Sequence, residues 1–99
     1  MSFLTTVLEI GSTAKRVSCE CLVDTGSQIN LVSQTLVNQL QSRQIFPSDR
    51  TFTGAFDRRV IRSRGKIRLS VFSSQVLTDV FDIVPAEVKF EVIIGFPFI

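Results

Sequence analysis

Apolar and polar residues take turns along most of this chain, and the period of that alternation predicts its elements. Phe3 to Ile10 is rich in β-forming residues and closes on Gly11-Ser12, which predicts a strand and a turn. Lys15 to Val23 predicts a second strand with Val17, Cys19, Cys21 and Val23 on one side, and the pair predicts a hairpin. A short apolar segment, Ile29-Asn30-Leu31-Val32, comes next. Ser33 is placed to cap a short helix carrying Leu36, Val37 and Leu40 on one face and ending near Leu40 or Ser42. Gln41 to Asp49, which contains Pro47, is expected to be a polar loop.

The most regular stretch is Thr51 to Phe72. Ile61, Ile67, Leu69 and Val71 share one parity, and Arg62, Arg64, Lys66 and Arg68 take the other, the pattern of a strand with one solvated face. We expect one long hairpin with its tip near Gly54 to Asp57 and a kink or bulge at Gly65. Ser73-Ser74-Gln75 reads as a turn. Val76 to Val84 reads as a strand, interrupted by Asp79 and Asp82 and stopped by Pro85. Val88 to Phe90 is strand or loop. Val92-Ile93-Ile94 is a fully apolar run closed by Gly95, and the apolar end Phe96-Pro97-Phe98-Ile99 is expected to be buried, in an interface, or the mark of a cut. The elements add up to an all-β chain with one short helix.

Length and composition narrow the function classes. The 99 residues make one domain, residues 1–99, whose 44% apolar content is that of a globular protein. A chain this short has little depth for an enclosed site, and a dimer is a natural way to build a cleft. The net charge of +2 is too small to imply a polyanionic partner. No stretch is long and apolar enough to span a membrane, and no signal segment opens the chain, so the expected setting is cytoplasmic. Cys19 and Cys21 would share a strand face, where a disulfide between them would be strained. With no histidine to complete a zinc set, they are expected to be reduced and to act as small hydrophobes. The missing histidines also exclude Ser-His-Asp and Cys-His catalysis in their usual forms. Acid–base chemistry near neutral pH then falls to carboxylates or, less readily, lysine. No metal and no cofactor are predicted.

One carboxylate stands out. In Cys21-Leu22-Val23-Asp24-Thr25-Gly26-Ser27, an apolar strand runs into an aspartate, which resists burial unless it is paired or hydrogen-bonded. By itself Asp24 could be an Asx-turn residue at a strand end. Two further features change its meaning: a hairpin containing Gly54, and the late Val92-Ile93-Ile94-Gly95. In this order the three resemble the retropepsin family of aspartic proteases, the half-sized enzymes of retroviruses and LTR retrotransposons. Leu22-Val23-Asp24-Thr25-Gly26-Ser27 is similar to that family's catalytic motif, and Val92 to Gly95 to its second hallmark. The resemblance spans nearly the whole chain.

The resemblance implies a closed β-barrel of the acid-protease fold, a half-site monomer that works as a homodimer on a polypeptide substrate in retroelement polyprotein processing. Asp24 and its symmetry mate would share one proton and activate a water. Thr25 would hold the two catalytic loops together, and Gly26 would permit close backbone approach. Ser27 and Gln28 would face substrate. Thr53, Gly54, Ala55 and Phe56 would form a flap over the peptide, and Ile93 would line a pocket. No nucleic acid and no membrane are expected as partners.

The chain also departs from the family. Gln28 and Ile29 stand where viral members often carry two acidic residues, and Phe96 follows Gly95 where they commonly place Arg. The flap has one glycine and a bulky Phe56. The helix near Ser33 to Ser42 is closer to retrotransposon and cellular members than to compact viral ones. Viral enzymes carry a helix and a terminal strand beyond this point; either the dimer is built differently here, or the natural protein, a longer polyprotein, continues past Ile99. Two rival readings remain at this stage. Arg58, Arg59, Arg62, Arg64, Lys66 and Arg68 could attract phosphate, though their strand spacing suits a solvated face. The domain could also be a catalytically silent dimerisation or peptide-binding module.

Overall fold

A computed structural model describes residues 4–24, 29–40, 44–53, 60–85 and 91–95. The predicted first hairpin is present: β1 (Leu4–Gly11) pairs antiparallel with β2 (Arg16–Val23), Leu4 opposite Val23 and Gly11 opposite Arg16. The turn forces glycine at position 11, where φ is 147° and an added Cβ would strike the Lys15 carbonyl and crowd Leu40. Next come β3 (Leu31–Ser33) and α1 (Gln34–Leu40). The Ser33 hydroxyl accepts the Leu36 N–H at 3.2 Å, which is the predicted N-cap. Leu36, Val37 and Leu40 form the buried face of the helix.

Residues 44–72 correct two expectations. Within the supposed polar loop lies a short strand, β4 (Ile45–Phe46), paired with β7 (Lys66–Phe72). The long hairpin is in fact two structures. Its arms β5 (Thr51–Thr53) and β6 (Val60–Arg62) pair in a separate two-stranded sheet, while β7 belongs to the main sheet. The break falls at Gly65, whose φ is 136° and where a Cβ would come within 2.7 Å of Ile45 and 2.9 Å of the Phe46 carbonyl oxygen. The interruption expected at Gly65 is there, but it separates two sheets rather than bending one strand. The expected tip at Gly54 to Asp57, the Val88–Phe90 segment and Phe96–Ile99 lie outside the described residues.

β8 (Val76–Val84) pairs antiparallel with β7, and β9 (Val92–Ile94) lies between β2 and β3. The main sheet runs β1-β2-β9-β3-β8-β7, and β7 pairs back onto β1 through Glu9–Gly11, closing a six-stranded barrel with β4 attached to β7. The fold is therefore all-β, a closed barrel with one short helix. Among the described residues no helix is long and apolar enough to cross a membrane.

Two apolar layers result. Inside the barrel, Ile10, Cys21, Val32, Val71, Phe81, Ile83, Val92 and Ile94 pack with Leu36, Val37 and Leu40 of α1. On the outside of the same strands Leu31, Val84 and Ile93 form a second cluster with Phe52, and Leu22, Ile29 and Ile61 pack against it. The uninterrupted apolar run of β9 now has a cause. Val92 and Ile94 face the barrel interior and Ile93 the outer layer, so both faces of the strand are buried.

Candidate active site

Asp24 stands one residue beyond β2, half-buried, and its N–H donates to the Ile94 carbonyl at 2.8 Å. This bond extends the parallel pairing of β2 with β9, in which Cys21, Leu22 and Val23 lie opposite Val92, Ile93 and Ile94. Two motifs roughly seventy residues apart are thus one ladder. The pairing also sets the direction of each side chain, since alternate residues face opposite sides. Val23 and Ile94 point into the barrel, and Leu22 and Ile93 point together into the outer cluster.

The chain re-enters that cluster at Ile29, so Leu22 and Ile29 bracket Asp24 in sequence and meet beside it on one apolar surface. The arms of the small hairpin cover the same surface with Phe52 and Ile61. Ile93, expected in a substrate pocket, is buried there at 5% exposure, next to Leu31 and Val84. Thr53 closes β5 opposite Val60. Thr25, Gly26, Ser27 and Gln28, and likewise Gly54, Ala55 and Phe56, lie outside the described residues. Of the expected site, then, Asp24, Ile93 and the hairpin arms are placed, and they gather around one apolar layer.

Residues that the sequence reading did not single out hold this arrangement together. The Asn30 side chain accepts the Gly95 N–H at 2.8 Å and donates to the Val80 carbonyl at 3.1 Å and to Asp79 Oδ2 at 3.2 Å. One amide therefore ties the chain after Asp24 to the end of β9 and to β8. Asp82 is a buried carboxylate, 3% exposed, on the outer face of β8. Its Oδ1 accepts the Ser48 hydroxyl at 2.7 Å and the Ser63 hydroxyl at 2.9 Å, and its Oδ2 accepts Arg50 Nη1 at 3.2 Å. An acid inside Phe81-Asp82-Ile83-Val84 was the available signal, because a charge within a buried run has to be partnered.

The cysteines are free thiols, buried on one face of β2 with their sulfurs 3.7 Å apart. The Cys21 thiol is pushed far above its ordinary range by its hydrogen bond with Cys19 and by burial. Arg62, Arg64 and Arg68 are exposed and Lys66 is half-buried, as a solvated strand face requires. An open depression of about 390 Å³ lined by Gly11, Ser12, Lys15, Leu40, Arg68 and Leu69 lies by the start of β2. It is the length of the strand away from Asp24, roughly 25–30 Å at the usual rise per residue, and does not belong to this site. Compared with known proteins, the chain matches no family model, and no curated protein matches it in sequence.

Proposed function

We propose that this chain is one half of an aspartic endopeptidase, a retropepsin-like subunit that acts as a homodimer on extended polypeptide. The observation that carries the reading is the ladder joining Leu22-Val23-Asp24 to Val92-Ile93-Ile94, with the Asp24 N–H on the Ile94 carbonyl. It puts the two motifs of the resemblance side by side and leaves the carboxylate at the margin of an apolar layer that peptide side chains could enter.

In the proposed dimer, Asp24 and its symmetry mate face each other and share one proton between them. One carboxylate takes a proton from a water while the other, protonated, polarises the scissile carbonyl. Thr25 and Gly26 would supply the contacts between loops, Ser27 and Gln28 would border the peptide, and residues 53–56 would close over it. Ile93 and its neighbours favour apolar side chains beside the cut. Processing of a retroelement polyprotein, in the cytoplasm or within a virus-like particle, is the setting that goes with this reading.

The test is cleavage of an internally quenched peptide library by the wild type and by Asp24→Asn, with sedimentation velocity alongside. Cleavage by the wild type that is absent from a folded Asp24→Asn protein is the expected result. A variant as active as the wild type would remove the proposal. A wild type that stays monomeric and inert would favour the silent dimerisation or peptide-binding module instead.

A further inference from the structure

The carboxylate of Asp82 takes no part in the chemistry proposed for Asp24, yet it is the more deeply buried of the two. Its three donors come from two separate stretches of chain. Ser48 and Arg50 precede β5, and Ser63 follows β6. Both feet of the hairpin are therefore held by one side chain of β8. Backbone bonds tighten the same place: the Ser63 N–H donates to the Arg50 carbonyl at 2.9 Å, and the Arg64 N–H to the Ile83 carbonyl at 2.7 Å. The Asp82 N–H donates to the Asn30 carbonyl at 2.9 Å, and the Asn30 side chain accepts from Gly95. A continuous hydrogen-bonded path thus runs from the end of β9, through Asn30 and Asp82, to both feet of the hairpin.

A purely stabilising role is a poor account of Asp82. Burying a carboxylate is costly, and an apolar side chain is generally the cheaper occupant of such a place. The same outer face of β8 buries an apolar side chain, Val84, two residues further on, whereas position 82 is faced by polar donors. What the carboxylate adds is direction. Phe52 and Ile61 rest on Ile93, Leu31 and Val84 through apolar contact, which does not fix an angle. Two hydroxyls and a guanidinium converging on two oxygen atoms do fix one.

We propose that Asp82 is a positioning residue for the peptide site, a clamp that sets how the hairpin arms lie over Ile93 on the apolar layer beside Asp24. This rests on the proteolytic reading of Asp24. Ser48 and Arg50 are the donors to test, because Arg50 is exposed and Ser48 only half-buried, so both can be changed without emptying the interior.

The experiment measures steady-state cleavage of an internally quenched peptide with apolar residues at its centre, by the wild type, Ser48→Ala, Arg50→Met, the double variant and Arg50→Lys. Arg68→Met, on an exposed part of β7, is the control. Amide hydrogen exchange is followed on the same proteins. The double variant should raise KM roughly tenfold with kcat little changed, since misplacing a covering element weakens substrate positioning without touching the catalytic pair. Exchange should quicken in residues 51–53 and 60–62 and stay unchanged in β1, β2 and β7. Arg50→Lys should recover most of the loss. If the double variant does not fold, the two single variants carry the same expectation at smaller size.

Unchanged KM in an active protein overturns the clamp and leaves the proteolytic reading standing. Faster exchange in every strand, with activity falling only in step with the folded fraction, overturns it as well, because Asp82 would then be merely structural. An inactive wild type removes the proteolytic reading, and the positioning role falls with it.

Discussion

The two apolar layers of this molecule use the same strands and differ in construction. Among the described residues the barrel interior is made of buried aliphatic and aromatic side chains that meet α1, with the cysteine thiols as its weakly polar members. The outer layer is thin. Among the described residues it has four buried members, three partly buried ones, a roof made of hairpin arms, and a buried carboxylate at its edge. The interior is what a stable fold requires. The outer layer is more than stability requires, and it lies where Asp24 leaves β2. A strand sequence can therefore serve two layers at once, one parity building the core and the other an outer apolar layer that the proposed function uses as the wall of its site.

The largest test of that contrast is Phe81→Ala. Phe81 is fully buried in the barrel, so its truncation should cost about 3–5 kcal/mol, a large part of the roughly 5–15 kcal/mol that holds a domain folded. Urea denaturation would measure it. Ile93→Ala should cost less, about 2 kcal/mol, at the low end for a buried isoleucine because the outer layer can settle into the gap. It should also shift the peptide library's preferred side chains beside the cut toward larger ones. If Ile93→Ala costs as much as Phe81→Ala and leaves peptide preference alone, the two layers are one core and the contrast fails.

A smaller effect probes the interior by pH. The Cys21 thiol has its folded pKa raised, so its contribution is fully present below the unfolded value and is lost as pH rises beyond it. Above the ordinary thiol value of 9.0 the unfolded chain releases this proton while the folded chain keeps it. Stability should then fall by about 1.4 kcal/mol per pH unit from this group. The variant lacking both thiols, Cys19→Ala with Cys21→Ala, should lack that slope. Both must go, because Cys19 is held low only by its hydrogen bond to Cys21 and burial would raise it if Cys21 alone were removed. Denaturation midpoints between neutral pH and pH 10 decide it. The smallest effect concerns α1, which belongs to the interior alone. Ser33→Ala removes the cap on the Leu36 N–H and should cost about 1 kcal/mol, with peptide preference unchanged.

Much of the barrel could be read from the residues. Period-two alternation located β2 and β7, an apolar run stopped by Pro85 located β8, and Ser33 marked the start of α1, because these are local patterns with local causes. β4 could not be read so, since two residues in a polar stretch are shorter than any period. Gly65 marked an interruption, but not that β6 and β7 belong to different sheets, because Ile61 and Ile67 keep the same parity across it. At the site, Asp24 and Ile93 were legible as motifs. The roles of Asn30 and Asp82 were not. The donors to Asp82 stand 19 to 34 residues away in sequence, and only the closing of the barrel brings them together.

The central claim is that Asp24 has catalytic meaning only beside a second copy of itself. Mixing tests it most directly. Wild type and Asp24→Asn are combined in varying proportion at constant total concentration, allowed to exchange subunits, and assayed for peptide cleavage. If each site needs an aspartate from both subunits, activity falls as the square of the wild-type fraction. Activity that falls only in direct proportion to that fraction would mean that one chain suffices, and would contradict the account.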